Sequence, residues 1–164
     1  MGEQKQSRLQ RICNIAKYVV LAGIVLSVLI LAFVIGLLAI MFSDSTMTAE
    51  DLGRNESFFL FGVTLVNQVI SILLFYYLYQ LTKSLGSENS PFISENVWLL
   101  KKMAILLLTG WTLVTVAGFI ISVLWSLPIT GINGDALLMA GIIYVISLVF
   151  EYGVRLQEES DGFV

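Results

Sequence analysis

The chain has 164 residues, of which 57% are hydrophobic and 13% are charged, and its formal net charge is −3. Soluble domains carry about 25% charged residues, so we do not expect a water-soluble globule. The chain is also too hydrophobic for a disordered protein. It has no histidine and one cysteine, Cys13, which excludes imidazole catalysis, an intrachain disulfide and a cysteine–histidine zinc site.

Four long apolar stretches predict four membrane-spanning helices, because a helix needs about 20 apolar residues to cross the hydrocarbon core. The four predicted helices are residues 18–42, 58–81, 103–127 and 136–155. The predicted cytoplasmic loop is residues 82–102, and the predicted cytoplasmic tail is residues 156–164. The stretches are too long for strands, and four of them cannot close a barrel in lipid. We therefore expect a single all-α domain, a four-helix transmembrane bundle in which neighbouring helices run antiparallel.

The basic residues predict which helix ends face the cytoplasm. If successive spans alternate in direction, eight of the nine Lys and Arg residues fall on one side and only Arg54 on the other. Lys and Arg accumulate on the cytoplasmic side of membrane proteins. We therefore expect a multi-pass plasma membrane protein with both termini in the cytoplasm.

The segment before the first span has an apolar face opposite its basic residues. Leu9, Ile12, Cys13 and Ala16 share this face at helical spacing. Such a segment is expected to lie on the inner leaflet, where basic residues meet anionic lipid. Cys13 at this boundary is either a palmitoylation site or an inert buried thiol, and the sequence leaves both open.

The second predicted helix carries a polar face that includes Asn67 and Gln68. Amide side chains at this depth are expected to avoid lipid and to bond to neighbouring helices. They act either as structural links or as part of a polar pathway or ligand site, and both interpretations stand at this stage.

The fourth predicted helix places Glu151 four residues before Arg155, the favourable order for an ion pair. An ionisable residue inside a membrane is a candidate functional residue. Near the end of a span, however, both groups can reach water. The pair is therefore either structural or part of a proton or ion site. The candidate intramembrane polar residues are Asn67, Gln68, Glu151 and Arg155.

Two short stretches resemble a known family. Residues 90–97 read Ser-Pro-Phe-Ile-Ser-Glu-Asn-Val, with Leu99, Leu100, Lys101 and Lys102 following, and residues 152–161 read Tyr-Gly-Val-Arg-Leu-Gln-Glu-Glu-Ser-Asp. Both resemble motifs of the domain of unknown function 2975 family of small prokaryotic four-helix membrane proteins. This chain ends in Gly-Phe-Val, where Leu-Thr-Val or Leu-Thr-Ile is usual in that family. The resemblance implies four helices, cytoplasmic termini, no established activity, and frequent genomic neighbourhood with small helix-turn-helix regulators.

Both motifs fall on the predicted cytoplasmic side, which makes that end of the bundle a candidate interaction surface. It comprises Pro91, Phe92, Glu95, Asn96, Gln157, Glu158, Glu159 and Asp161. Phe92 is expected to anchor the loop, and Asn96 to cap or bridge backbone. The acidic residues of the tail either face Lys101, Lys102 or the basic N-terminal segment, or they only solvate the end of the bundle.

These features predict a non-enzymatic regulatory or scaffold protein in the lipid bilayer whose cytoplasmic face binds a protein partner, such as a small DNA-binding regulator. The alternative is a small transporter or channel subunit with a polar path through Asn67, Gln68 and Glu151. A purely structural membrane protein is a third hypothesis. We expect no catalytic residues, cofactor, metal site or direct nucleic acid binding, and the sequence leaves homo-oligomerisation open.

Overall fold

The computed structural model describes residues 2–43, 52–86, 90–125 and 134–161. All regular secondary structure in these residues is α-helical. Four helices follow one another in the chain: α1 Gly2–Ser43, α2 Leu52–Leu85, α3 Ser94–Trp125 and α4 Asp135–Asp161. Each is long and apolar enough to cross a membrane. The prediction of an all-α chain with four candidate membrane-spanning helices is therefore confirmed. The predicted end of the third helix at 126–127 and the end of the tail at 162–164 lie outside the described residues.

The helices extend beyond the predicted spans, chiefly at the ends that carry the basic residues. The segment before residue 18 continues α1 as one helix, and residues 94–102 form the first turns of α3 instead of part of a loop. Lys, Glu, Gln and Arg are good helix formers, so a helix does not stop where its apolar stretch stops. Gly86 and Pro91 interrupt this pattern, and the connection between α2 and α3 is limited to residues 86–93.

The helices pack in chain order. Within the described residues, α1 contacts α2, α2 contacts α3 and α3 contacts α4, and no other pair of helices meets. The α3–α4 interface is the most extensive and the α2–α3 interface the smallest. The bundle is therefore open, because α1 does not close it against α4. Large apolar side chains remain exposed along all four helices, as expected where lipid replaces water.

The best-packed region lies at one end of the bundle. Leu81, Leu99 and Leu100 form its buried core, and the surrounding partly buried side chains are Tyr77, Leu78, Leu85, Ile143 and Phe150. Asn96 and Ser147 are fully buried in the same region. We refer to residues 77–86, 90–104 and 143–157 as the loop end, because the connection between α2 and α3 lies there.

Candidate functional site

A notch in α4 holds the aromatic ring of the connection between α2 and α3. The ring of Phe92 lies 5.4 Å from that of Phe150, centroid to centroid, at an interplanar angle of 57°. A Cβ atom at Gly153 would overlap the Phe92 ring. The absence of a side chain at Gly153 therefore creates the space that Phe92 occupies, and Phe92 joins the connection to α4.

Asn96 fastens the same connection to the start of α3. Its Nδ2 atom donates a hydrogen bond to the carbonyl oxygen of Pro91 at 2.8 Å, and its side chain is fully buried. Its Oδ1 atom is also buried and has no hydrogen-bond partner among the described residues. The backbone amides of Asn96 and Val97 donate to the carbonyl of Ile93 and begin the helix. The backbone around Pro91 is therefore held by a side chain that solvent does not reach.

A third contact runs through Ser90. The backbone amide of Phe92 donates to its hydroxyl at 3.2 Å, and the hydroxyl donates to Oε1 of Gln157 at 2.8 Å. This bond joins residues 67 positions apart in the chain. The connection is thus attached both to α3 and, at two points, to α4.

Glu151 binds two cations at the loop end. Its Oε2 atom lies 2.9 Å from Nζ of Lys101 on α3, and its Oε1 atom lies 3.5 Å from Nη2 of Arg155 on α4. The pairing with Arg155 had a sequence signal, because the two residues are one helical turn apart. Lys101 lies 50 positions away, and the sequence interpretation named it only as one of several possible partners of the acidic tail. The carboxylate therefore links α3 to α4.

Lys102 contacts aromatic rings. Its Nζ atom lies 3.5 Å from the ring centroid of Trp98 and 5.6 Å from that of Tyr77. The Trp98 side chain is 54% exposed, so this cation–aromatic contact lies at the surface. Neither lysine proposed as a partner of the tail thus contacts its acidic residues among the described side chains.

The eight residues of the candidate interaction surface fall into two groups. Phe92, Asn96 and Gln157 make the internal contacts that fasten the connection. The second group is exposed and comprises Pro91, Glu95, Glu158 and Glu159. Its three glutamates make no ion pair in the described part of the chain. Asp161 is the last residue of α4, and its side chain lies outside the described part. The candidate surface therefore consists of exposed carboxylates beside a stretch of backbone that internal contacts hold in place.

The two amides of α2 have different environments. Nε2 of Gln68 donates to the carbonyl oxygen of Ser27 on α1 at 2.7 Å. Asn67 is exposed and lines a cavity against α3 instead. Glu151 has its partners at the loop end. No contact in the described chain joins Asn67, Gln68 and Glu151. Gln68 bonds to a neighbouring helix as expected, and the expectation that both amides avoid lipid stays a prediction.

Cys13 lies partly buried where α1 passes the loop end. A Cβ atom at Gly86 would lie 3.3 Å from the Cβ atom of Cys13, so α1 and the end of α2 approach closely here. The palmitoylation of Cys13 stays a prediction.

No protein-family model, curated protein or solved structure matches this chain. Its function must therefore be inferred from the geometry of the loop end, and the resemblance drawn from the two motifs stays a prediction.

Proposed function

We propose that this chain is a non-enzymatic regulatory or scaffold protein of the plasma membrane whose loop end binds a cytoplasmic protein partner. The observation that carries the proposal is the fastening of the connection between α2 and α3 by Phe92, Asn96 and Ser90. A surface that is already ordered loses less conformational entropy when it binds. The exposed residues beside these contacts are thus presented on a pre-organised backbone.

The order of contacts between helices supports antiparallel neighbours. Residue numbers rise along α1 while they fall along α2 in the contacting pairs Cys13–Gly86, Lys17–Tyr79, Gly23–Phe75 and Ser27–Gln68. With four spans, this arrangement supports a topology in which both termini and the connection between α2 and α3 share one side. The basic residues of that side favour the cytoplasm.

The exposed carboxylates favour a basic partner. Glu95, Glu158 and Glu159 are exposed and make no ion pair in the described chain. DNA-binding proteins carry a basic surface that contacts phosphates, so a small helix-turn-helix regulator has the complementary charge. The same carboxylates would repel nucleic acid. A regulator held here through its basic surface would be kept from DNA.

The alternative of a small transporter or channel subunit has one supporting observation, the cavity beside Asn67. Gln68 and Glu151 do not extend that cavity into a path, because they bond to α1 and to Lys101 respectively. We therefore favour the regulatory or scaffold function.

Crosslinking in native membranes tests the proposal. A photoreactive residue at position 95 should capture a basic soluble protein, and 0.5 M salt should reduce the yield because exposed charge pairs are screened. The double variant Glu158→Lys, Glu159→Lys should lose this product. The variant Asp135→Lys is the matched control, because Asp135 is an exposed acidic residue at the opposite end of α4. Capture of only lipid or further copies of this chain would contradict the proposal.

A further inference from the structure

A cavity of about 210 Å³ lies among α2, α3 and α4, separate from the loop end. Its walls are mostly apolar, and the side chains that bring polar atoms to it are Asn67, Trp111 and Thr115. A buried protein cavity of about 150 Å³ is large enough to bind benzene. This cavity therefore has room for a molecule at least the size of one aromatic ring.

A small residue on α4 and the packing order of the helices explain why the space exists. Gly110 does not contribute to it, because Ile70 of α2 occupies the position that a Cβ atom at Gly110 would take. Ala136 supplies only a methyl group from α4. Because α2 and α4 do not contact each other within the described residues, no larger side chain fills the space between them.

Two residues that line the cavity carry a polar group without a hydrogen-bond partner in the described chain. The Oγ1 atom of Thr115 is one of them, but it is buried, with almost no accessible surface, so it does not open onto the space of the cavity. Thr112, three residues earlier and on the exposed side of α3, donates its hydroxyl proton to the carbonyl of Leu108 at 2.8 Å, a common arrangement for threonine in a helix. The carboxamide of Asn67 faces the same cavity from α2, and it too makes no side-chain hydrogen bond in the described chain.

We propose that this cavity binds a neutral, membrane-soluble molecule of about one ring in size that carries a hydroxyl or amide group. The carboxamide of Asn67 offers both a donor and an acceptor to such a ligand. Unpaired polar groups are costly where water is absent, so a ligand that bonds to them is favoured over a pure hydrocarbon. Among the described residues no charged side chain lines the cavity, so these residues provide no counter-charge for an ionic ligand.

The fluorescence of Trp111 can report binding in the cavity, because Trp111 lines it. The variant Trp98→Phe, Trp125→Phe leaves Trp111 as the only tryptophan of the chain. In lipid nanodiscs we expect 4-bromophenol to quench its fluorescence saturably, since bromine is a heavy-atom quencher. Bromobenzene, matched in shape but without the hydroxyl, should need a concentration in the membrane about three to ten times higher, the difference that one hydrogen bond within a membrane makes.

Substitutions in the same background separate hydrogen bonding from space. Asn67→Leu should raise the half-quenching concentration of 4-bromophenol about threefold and leave that of bromobenzene unchanged. Thr115→Val removes a hydroxyl that does not open onto the cavity and should change neither value. Thr112→Val, with its hydroxyl bonded outside the cavity, is the matched control and should change neither value. Ala136→Leu should abolish saturable quenching by both probes because it fills the space. Helix content measured by circular dichroism verifies that each variant is folded.

Two results would overturn the proposal. Equal half-quenching concentrations for the two probes would show that the cavity accepts any apolar molecule without a hydrogen bond to Asn67. Failure of both probes to quench saturably, together with disulfide-linked dimers of the variant Asn67→Cys in a Cys13→Ser background, would show that a second copy of the chain covers the cavity.

Discussion

The loop end and the cavity both consist of residues from α2, α3 and α4. Their polar side chains differ in whether they have bonding partners on another element. At the loop end, Ser90 and Glu151 each reach a partner on another element, although the buried Oδ1 atom of Asn96 has none among the described residues. At the cavity, Thr115 and Asn67 have no such partner in the described chain. The difference arises because side chains fill the loop end, whereas α4 brings only the methyl group of Ala136 to the cavity.

This contrast separates two kinds of polar residue in a membrane bundle. A polar group with a partner on another helix stabilises the arrangement of helices, and its loss is measured as instability. A polar group that faces an unfilled space lowers the free energy of unfolding. Its role is measured by the affinity for a ligand that binds to it. The loop end and the cavity should therefore respond in opposite ways to mutation.

The largest expected effect comes from removing packed volume at the loop end. Leu99→Ala should lower the free energy of unfolding by about 3 kcal/mol, because Leu99 is 1% exposed and its loss leaves a cavity. Leu107→Ala is the matched control on the cavity wall, where the side chain already borders empty space, and should cost about 1 kcal/mol or less. Titration with SDS from mixed micelles measures both. Equal losses would show that the two regions are packed alike.

The notch in α4 should give the next largest effect. Gly153→Ala places a methyl group where the Phe92 ring lies and should lower the free energy of unfolding by about 1–3 kcal/mol. In a Phe92→Ala background the same substitution should cost little, since the ring that it displaces is gone. The double-mutant cycle in SDS titration therefore measures this contact alone. Additive losses would contradict the packing of Phe92 against Gly153.

The ion pairs at the loop end should give a smaller effect. Lys101→Met should lower the free energy of unfolding by less than Gly153→Ala does, because the side chains of both Lys101 and Glu151 are about a third exposed and solvent screens their interaction. Arg155→Met should cost less, since Arg155 is farther from Glu151 and 70% exposed. Repeating the SDS titration at high salt should reduce both values. A larger loss for Arg155→Met would reverse the assignment of Lys101 as the main partner.

The smallest effect should have the opposite sign. Thr115→Val removes a buried hydroxyl without a partner and should leave stability unchanged or raise the free energy of unfolding by about 0.5 kcal/mol. Thr112→Val removes a hydroxyl that is bonded to its own helix and should not raise it. The two variants are compared in the same SDS titration. A loss of more than about 1 kcal/mol for Thr115→Val would mean that its hydroxyl makes a stabilising hydrogen bond.

The sequence was sufficient to predict the number and class of the helices, because long apolar stretches are a direct signal for membrane-spanning helices. It also predicted the pairing of Glu151 with Arg155, which depends only on helical spacing. Both features are local in the chain.

The remaining contacts depend on which face each helix turns toward its neighbours. Leucine and isoleucine face both lipid and protein in a membrane, so an apolar pattern does not identify the buried face. The pairing of Lys101 with Glu151 and the opposite surroundings of Asn67 and Gln68 follow from that rotation. One signal for the notch was present in the sequence: Gly153 interrupts the larger residues of α4 near Glu151. Its partner, Phe92, could be found only from the fold.

The packing of helices in chain order has a consequence for biosynthesis. Each interface joins helices that are consecutive in the chain, and the α2–α3 interface is the smallest. If the helices insert into a membrane one after another, the pair α1–α2 can therefore assemble before α3 has left the ribosome, and the pair α3–α4 can follow as a second unit. Association of the two pairs is then the last step, and it is this step that encloses the cavity beside Asn67.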